Sequence, residues 1–208
     1  MEAATPAPPP PPPPPPAASG GYPVDLEVAN QGTYNRFLPL IKWLLAFPHY
    51  IVLIFVLIGA AVAILISFFA TIITGRWPRG LFDFVAGTFR WIYRVYGYVY
   101  LLTDRYPPFS LAEDPGYPVR IEIPYPEYVD RWRPLVHWLL ILPYALLAAL
   151  LMQVAGLVAF IGIFVILFTE KLPEGFFNLI TNPLRWALRA SAYHAWMVTS
   201  YPPFEWQE

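Results

Sequence analysis

Residues Pro48 to Thr74 read PHYIVLIFVLIGAAVAILISFFATIIT. Between Ile51 and Ile73 no residue is charged, and only Ser67 and Thr71 carry a polar side chain. At ~1.5 Å per residue a helix of this length reaches roughly 35 Å, enough for the ~30 Å hydrocarbon core of a bilayer. A core helix of a water-soluble protein is the other source of such a run, but core helices seldom stay uncharged for so long. The stretch therefore predicts a transmembrane helix and an all-α membrane protein.

Composition agrees. The chain of 208 residues is 57% hydrophobic and 13% charged, with a mean hydropathy of +0.47. Soluble domains carry about a quarter charged residues, so this chain belongs in lipid. The net charge of −1 gives no basic field for nucleic acid. Cysteine is absent, which excludes disulfides, thiolate metal sites and cysteine nucleophiles. No basic segment followed by an apolar core opens the chain, so no cleavable signal peptide is expected.

Residues 1–21 form a proline-rich tail, with an unbroken run from Pro8 to Pro16. Such a run is extended polyproline II and is expected to be disordered. It is a candidate docking site for a proline-binding module; a solvated spacer is the preferred reading.

The rest of the chain is a tandem duplication at a constant offset of 95 positions, from Tyr22 to Tyr117. Copy 1 spans residues 22–110 and copy 2 spans residues 117–208. Arg36 matches Arg131, Trp43 matches Trp138, Pro48 matches Pro143, and Arg90-Trp91 matches Arg185-Trp186. Tyr106-Pro107-Pro108-Phe109 matches Tyr201-Pro202-Pro203-Phe204. Inside the apolar stretch most positions are exchanged for other apolar types, as expected where lipid demands only hydrophobicity. The retained residues are mostly Pro, Gly, Arg and aromatics, which fix backbone shape or anchor at an interface.

Each copy is predicted to contain four pieces. A short strand places Val24, Leu26 and Val28 on one face and Asp25 and Glu27 on the other. A short helix follows from Tyr34 to Phe47, with Arg36 and Lys42 near its polar side and Trp43 as an interfacial anchor. Pro48 then starts the long span, where its missing N–H is not needed. The span stops at Thr74-Gly75-Arg76-Trp77-Pro78. A second helix, Leu81 to Thr103, carries Arg90 and Arg94, and Tyr-Pro-Pro-Phe breaks it. The fold class is a tandem repeat of a long transmembrane helix plus an arginine-bearing second helix, with short β-strands flanking each copy.

These pieces resemble a bacterial membrane family, domain of unknown function 4389. The residues that carry the resemblance are Thr74-Gly75-Arg76-Trp77-Pro78-Arg79-Gly80-Leu81-Phe82-Asp83-Phe84, Arg90-Trp91, and Leu102-Thr103-Asp104-Arg105-Tyr106-Pro107-Pro108-Phe109-Ser110. Copy 2 departs from the pattern at Glu170-Lys171-Leu172-Pro173-Glu174 and at Asn178 in place of Asp83. The resemblance implies an integral membrane protein and no activity.

The second helix of each copy sets the topology. If it recrosses, the chain has four spans and both strands share one side. If it lies in the interface, there are two spans and the copies are inverted. Because a strand gains stability by joining others, four spans and parallel copies are preferred. The balance of Lys and Arg around the short loops then puts the tail, the linker and the C-terminus in the cytoplasm of a multi-pass inner (plasma) membrane protein.

No catalytic motif, phosphate loop or dinucleotide fingerprint is present, so an enzyme is not expected and no cofactor is implied. His49, His137 and His194 share no ligand spacing, so no metal site is expected; His49 and His137 are expected at the interface. Asp25, Glu27 and Glu122 read as a solvated strand face. Arg90 and Arg94, and likewise Arg185 and Arg189, share a helix face. They are the candidate site: either interfacial snorkelling residues or one cluster that binds an anion or a lipid phosphate. The expected function is a structural, accessory or scaffold subunit that packs against membrane lipids, a membrane protein partner or a further copy of itself. The alternative is a transport or lipid-handling protein with its anion site at the arginines.

Overall fold

A computed structural model describes residues 21–207; apart from Gly21, the proline-rich tail lies outside the described residues. Copy 1 contributes strand β1 (Asp25–Val28) and helices α1 (Leu38–Leu45), α2 (Phe47–Thr74) and α3 (Arg79–Val99). Copy 2 repeats the order with β2 (Val119–Glu122), α4 (Arg133–Leu140), α5 (Leu142–Thr169) and α6 (Glu174–His194).

Local chemistry places the breaks. Pro48 sits in the first turn of α2. It cannot donate to the carbonyl one turn back, so α1 and α2 part at Ala46 instead of running on as one helix. Pro143 does the same at Ile141 between α4 and α5. At the far end α2 stops on Gly75, whose φ of 73° is left-handed. An added Cβ there would lie 2.7 Å from a Tyr128 ring carbon, so the position favours glycine twice over. Copy 2 adopts the same bend with Glu170 at φ 58°.

α2 and α5 are long and apolar enough to cross a membrane. Each touches the protein along one narrow stripe: His49, Leu53, Ala60, Ala63, Ser67 and Thr71 in α2, and Tyr144, Ala148, Ala155, Ala159, Gly162 and Ile166 in α5. The stripe is built of small residues toward its C-terminal half, which lets the neighbouring helix approach closely. The remaining faces present large apolar side chains outward; Phe55 is 70% exposed and Phe168 77%. A core helix of a soluble protein would show the reverse. The core is instead built around α3 and α6, whose only exposed large apolar residues are Tyr96 and Leu179.

β1 and β2 form an antiparallel pair, with Asp25 opposite Glu122 and Val28 opposite Val119. Each strand lies on the return helix of the other copy. β1 receives Arg185 and Arg189 of α6 at the carbonyls of Leu26 and Val24. Val119 of β2 lies so close to α3 that a Cβ on Gly97 would meet its Cγ2 at 2.5 Å. The copies are thus interlocked and share one core.

The orientation of the copies differs from the expected parallel arrangement. The Val129 amide donates to the Gly75 carbonyl at 2.9 Å, and the Tyr34 amide donates to the Glu170 carbonyl at 2.9 Å. Arg36 adds an ion pair to Glu170 at 2.7 Å. So the far end of each long helix is fastened to the segment that leads into the other copy's first helix. Trp77, just past α2, stacks on Trp196, just past α6, with centroids 5.7 Å apart. α2 and α5 therefore run antiparallel. The expectation assumed that paired strands require parallel copies. A two-fold relation through an antiparallel strand pair also reverses whatever runs along the strands, and that is the solution adopted here.

Glu122 gives a pH-dependent expectation. Burial raises its carboxyl above the usual range, and the nearby Glu27 and Asp25 add to this. A folded-state pKa above the unfolded value means that ionisation disfavours the fold. The protonated group's contribution is full below about pH 4 and is lost as pH rises. Glu122→Gln is therefore expected to raise Tm at pH 7, with the advantage vanishing below about pH 4. An unchanged Tm at pH 7 would contradict this.

Candidate functional site: the arginine pairs

The two arginine pairs lie on the faces of α3 and α6 that meet the strands and the linker. Their surroundings differ between copies for a reason visible in the repeat. Arg185 donates from Nε to Asp25 Oδ1 at 2.9 Å, and from Nη2 to the Leu26 carbonyl at 2.9 Å. Arg189 donates to the Val24 carbonyl, lies 3.6 Å from Asp25 Oδ1, and stacks over the Tyr22 ring at 5.2 Å. Asp25 and Arg189 are buried and Arg185 nearly so, so this is an interior arginine–aspartate–arginine cluster. Asp25 is therefore a buried anion and not part of a solvated strand face, as strand alternation had suggested.

The strand that packs on α3 is β2 of copy 2, where the position equivalent to Asp25 is Arg120, which cannot pair with an arginine. Arg90 turns to Glu113 of the linker at 2.7 Å, while Arg120 pairs across the sheet with Glu27 at 2.8 Å. Arg94 is buried, donates to the carbonyls of Ser110 and Ala112, and lies over the Tyr117 ring at 5.8 Å. Burial lowers the Arg94 and Arg185 pKa values, and neighbouring carboxylates oppose the shift. Elsewhere, burial beside Asp104 pushes the Tyr34 hydroxyl up to about 12. The helices' own sequences supply too few carboxylates for these cations; the missing ones come from β1 and the linker.

A second set of polar residues was only partly legible. Lys42 is buried, donates to the Thr103 carbonyl at 2.8 Å and pairs with Asp104 at 2.8 Å. Copy 2 exchanges Lys42 and Asp104 for His137 and Thr199. His137 stacks on Tyr193 at 4.0 Å and hydrogen-bonds the Tyr193 carbonyl. The pair thus changes as a unit and leaves no uncompensated charge. His49 is also buried; its Nδ1 accepts from Trp91 Nε1 at 3.0 Å, and its ring stacks on Phe109 at 3.9 Å. His49 and His137 thus belong to the interior. Contrary to expectation, the Tyr-Pro-Pro-Phe segments do not end the helices: α3 already stops at Val99 and α6 at His194, each before a left-handed residue, Leu101 and Trp196. The segments fold back so that Tyr106 and Phe109 surround His49, and Tyr201 and Phe204 surround Tyr144.

An open apolar crevice of about 360 Å³ lies between the copies, lined by Ile64, Phe89, Ile141, Ala145 and Ala190 among others. Among the described residues no three His, Cys, Asp or Glu side chains gather as metal ligands.

Against known families, a protein-family model described as a domain of unknown function (DUF4389) matches residues 39–110 and 131–205. The chain belongs to this family and carries two tandem copies of its domain. Both matched segments begin after the strands, so the exchanged strand pair lies outside them. No curated protein and no solved structure matches the chain.

Proposed function

We propose that this chain is a membrane-embedded structural or accessory protein, a scaffold unit that packs against lipid and against a membrane protein partner or a second copy of itself. One observation carries the reading: the long helices turn large apolar side chains outward on every face but one stripe, while the interior is spent on locking two copies together. An outward apolar surface of this extent calls for lipid or a partner helix. The plasma (inner) membrane is the proposed site. Two placements suit the composition: a multi-pass chain with tail and C-terminus in the cytoplasm, or helices lying within one leaflet.

The rival reading is transport or lipid handling, with an anion or lipid phosphate at Arg90, Arg94, Arg185 and Arg189. It is less favoured because a bound phosphate would compete with Asp25, Glu113 and the backbone carbonyls already paired with these side chains. Native mass spectrometry of the detergent-solubilised protein separates the two. The scaffold reading expects a stoichiometric partner or a homo-oligomer, unchanged in Arg90→Gln, whose partner Glu113 is 75% exposed. A monomer whose retained anionic lipid is lost in that variant would overturn it.

A further inference from the structure

Both ends of each long helix are tied to the layer that contains the strand pair. At the start of α2, His49 packs on Tyr106 and Phe109, and just before it Lys42 of α1 is held by Thr103 and Asp104 while Tyr106 donates to the Leu45 carbonyl. At its end, Gly75 is bonded to Val129, a short step beyond β2. α5 is held in the same way, by Pro203 through Tyr144 Oη near its start and by Tyr34, a short step beyond β1, at its end. A helix fastened at both ends to one layer lies along that layer and does not stand on it.

Charge is distributed accordingly. The sheet carries the exposed Glu27–Arg120 pair, and Glu113 beside it is three-quarters exposed. The strands lie beside α3 and α6 between the ends of the long helices. If the long helices stood along the membrane normal, the strand pair would fall at mid-depth. Its charges would then face hydrocarbon, and so would the edges of an open two-stranded sheet. Open edges do not occur against lipid, and charges there are strongly disfavoured. The opposite side offers the outward apolar faces of α2 and α5, with Trp43 of α1 and Trp138 of α4 exposed at the helices leading into them. Indole rings at such positions suit the headgroup level.

Resting on the membrane reading above, we propose that the protein is monotopic: it occupies one leaflet, with the long helices laid in the lipid and the strand pair, the linker and both inter-helix turns facing water on the same side. The surface's partner is thus a single leaflet of a bilayer.

The absence of native cysteine makes the test clean. Thr33→Cys, Arg79→Cys, Pro115→Cys and Glu174→Cys each alter an exposed position, so folding is not at risk. Each variant is expressed in bacterial cells, and carbonate-washed membranes are prepared as sealed vesicles of both orientations. An impermeant maleimide then probes each side. The proposal expects all four cysteines to react from one side. Thr33 and Pro115 on one side with Arg79 and Glu174 on the other would mean four crossings and parallel copies. Thr33 and Glu174 opposed to Arg79 and Pro115 would mean two crossings by inverted copies. Either split overturns the monotopic placement and leaves the membrane reading intact; release of the protein by the carbonate wash overturns both.

Discussion

Replacing Asp25 with alanine is expected to destabilise the fold by about 3–5 kcal/mol, the range for removing one partner of a buried ion pair. Asp25 is 2% exposed and faces two guanidinium groups, one of them on a fully buried residue. The backbone carbonyls of Leu26 and Val24 would remain as acceptors for Arg185 and Arg189, but they carry no net charge. The loss would fall on the β1–α6 contact that joins the copies, so both copies should loosen in one transition. Thermal melting of the detergent-solubilised variant followed by tryptophan fluorescence measures this. Replacing Asp25, Arg185 and Arg189 together with apolar residues of similar size should restore most of the stability, since no charge is then stranded. Glu113→Ala is the internal contrast. That carboxylate is 75% exposed, and an exposed pair contributes about 0–1 kcal/mol. Equal effects of Asp25→Ala and Glu113→Ala would contradict the buried cluster.

The second large effect is expected on the outward face of α2. Ile58 is 59% exposed, near the middle of the helix. In water, Ile58→Asp would change stability within about 0.5 kcal/mol, as most surface substitutions do. In hydrocarbon the same change costs more, up to about 2.5–3.5 kcal/mol at the depth of the bilayer centre, and a side chain as short as aspartate has little reach to the headgroups. Membrane-bound yield should fall sharply for Ile58→Asp and stay unchanged for Thr33→Asp, which alters an exposed loop. Equal yields would show that the face does not meet lipid.

How legible was this fold? The long helices followed from the uncharged run, and the duplication from the constant offset. The helix stop at Gly75 followed from backbone chemistry; the stops of α3 at Val99 and α6 at His194 did not, because the left-handed residues beyond them are Leu101 and Trp196, types that carry no such signal. The relation between the copies did not follow either, because a sequence offset is silent about the direction of a two-fold axis. Asp25 was misread because strand alternation assigns a side chain to a face without saying what covers it. Its partner Arg185 lies far along the chain, in the other copy. One signal was available: the repeat places Asp25 and Arg120 at equivalent positions, and opposite charges there imply different partners. The Lys42–Asp104 pair carried a similar trace, since both members change together to His137 and Thr199. The Tyr-Pro-Pro-Phe segments were legible as non-helical, but their return onto His49 and Tyr144 depends on aromatic packing across the copy, which no local pattern encodes.

On the proposed function, lipid covers the outward faces of α2 and α5. Alkaline carbonate extraction of membranes from cells that express the unmodified chain tests it most directly, because carbonate strips proteins held by charge and leaves those embedded in hydrocarbon. The protein is expected to stay in the pellet and to be released only by detergent. Recovery in the carbonate supernatant, as a folded species that stays soluble without detergent, would contradict it.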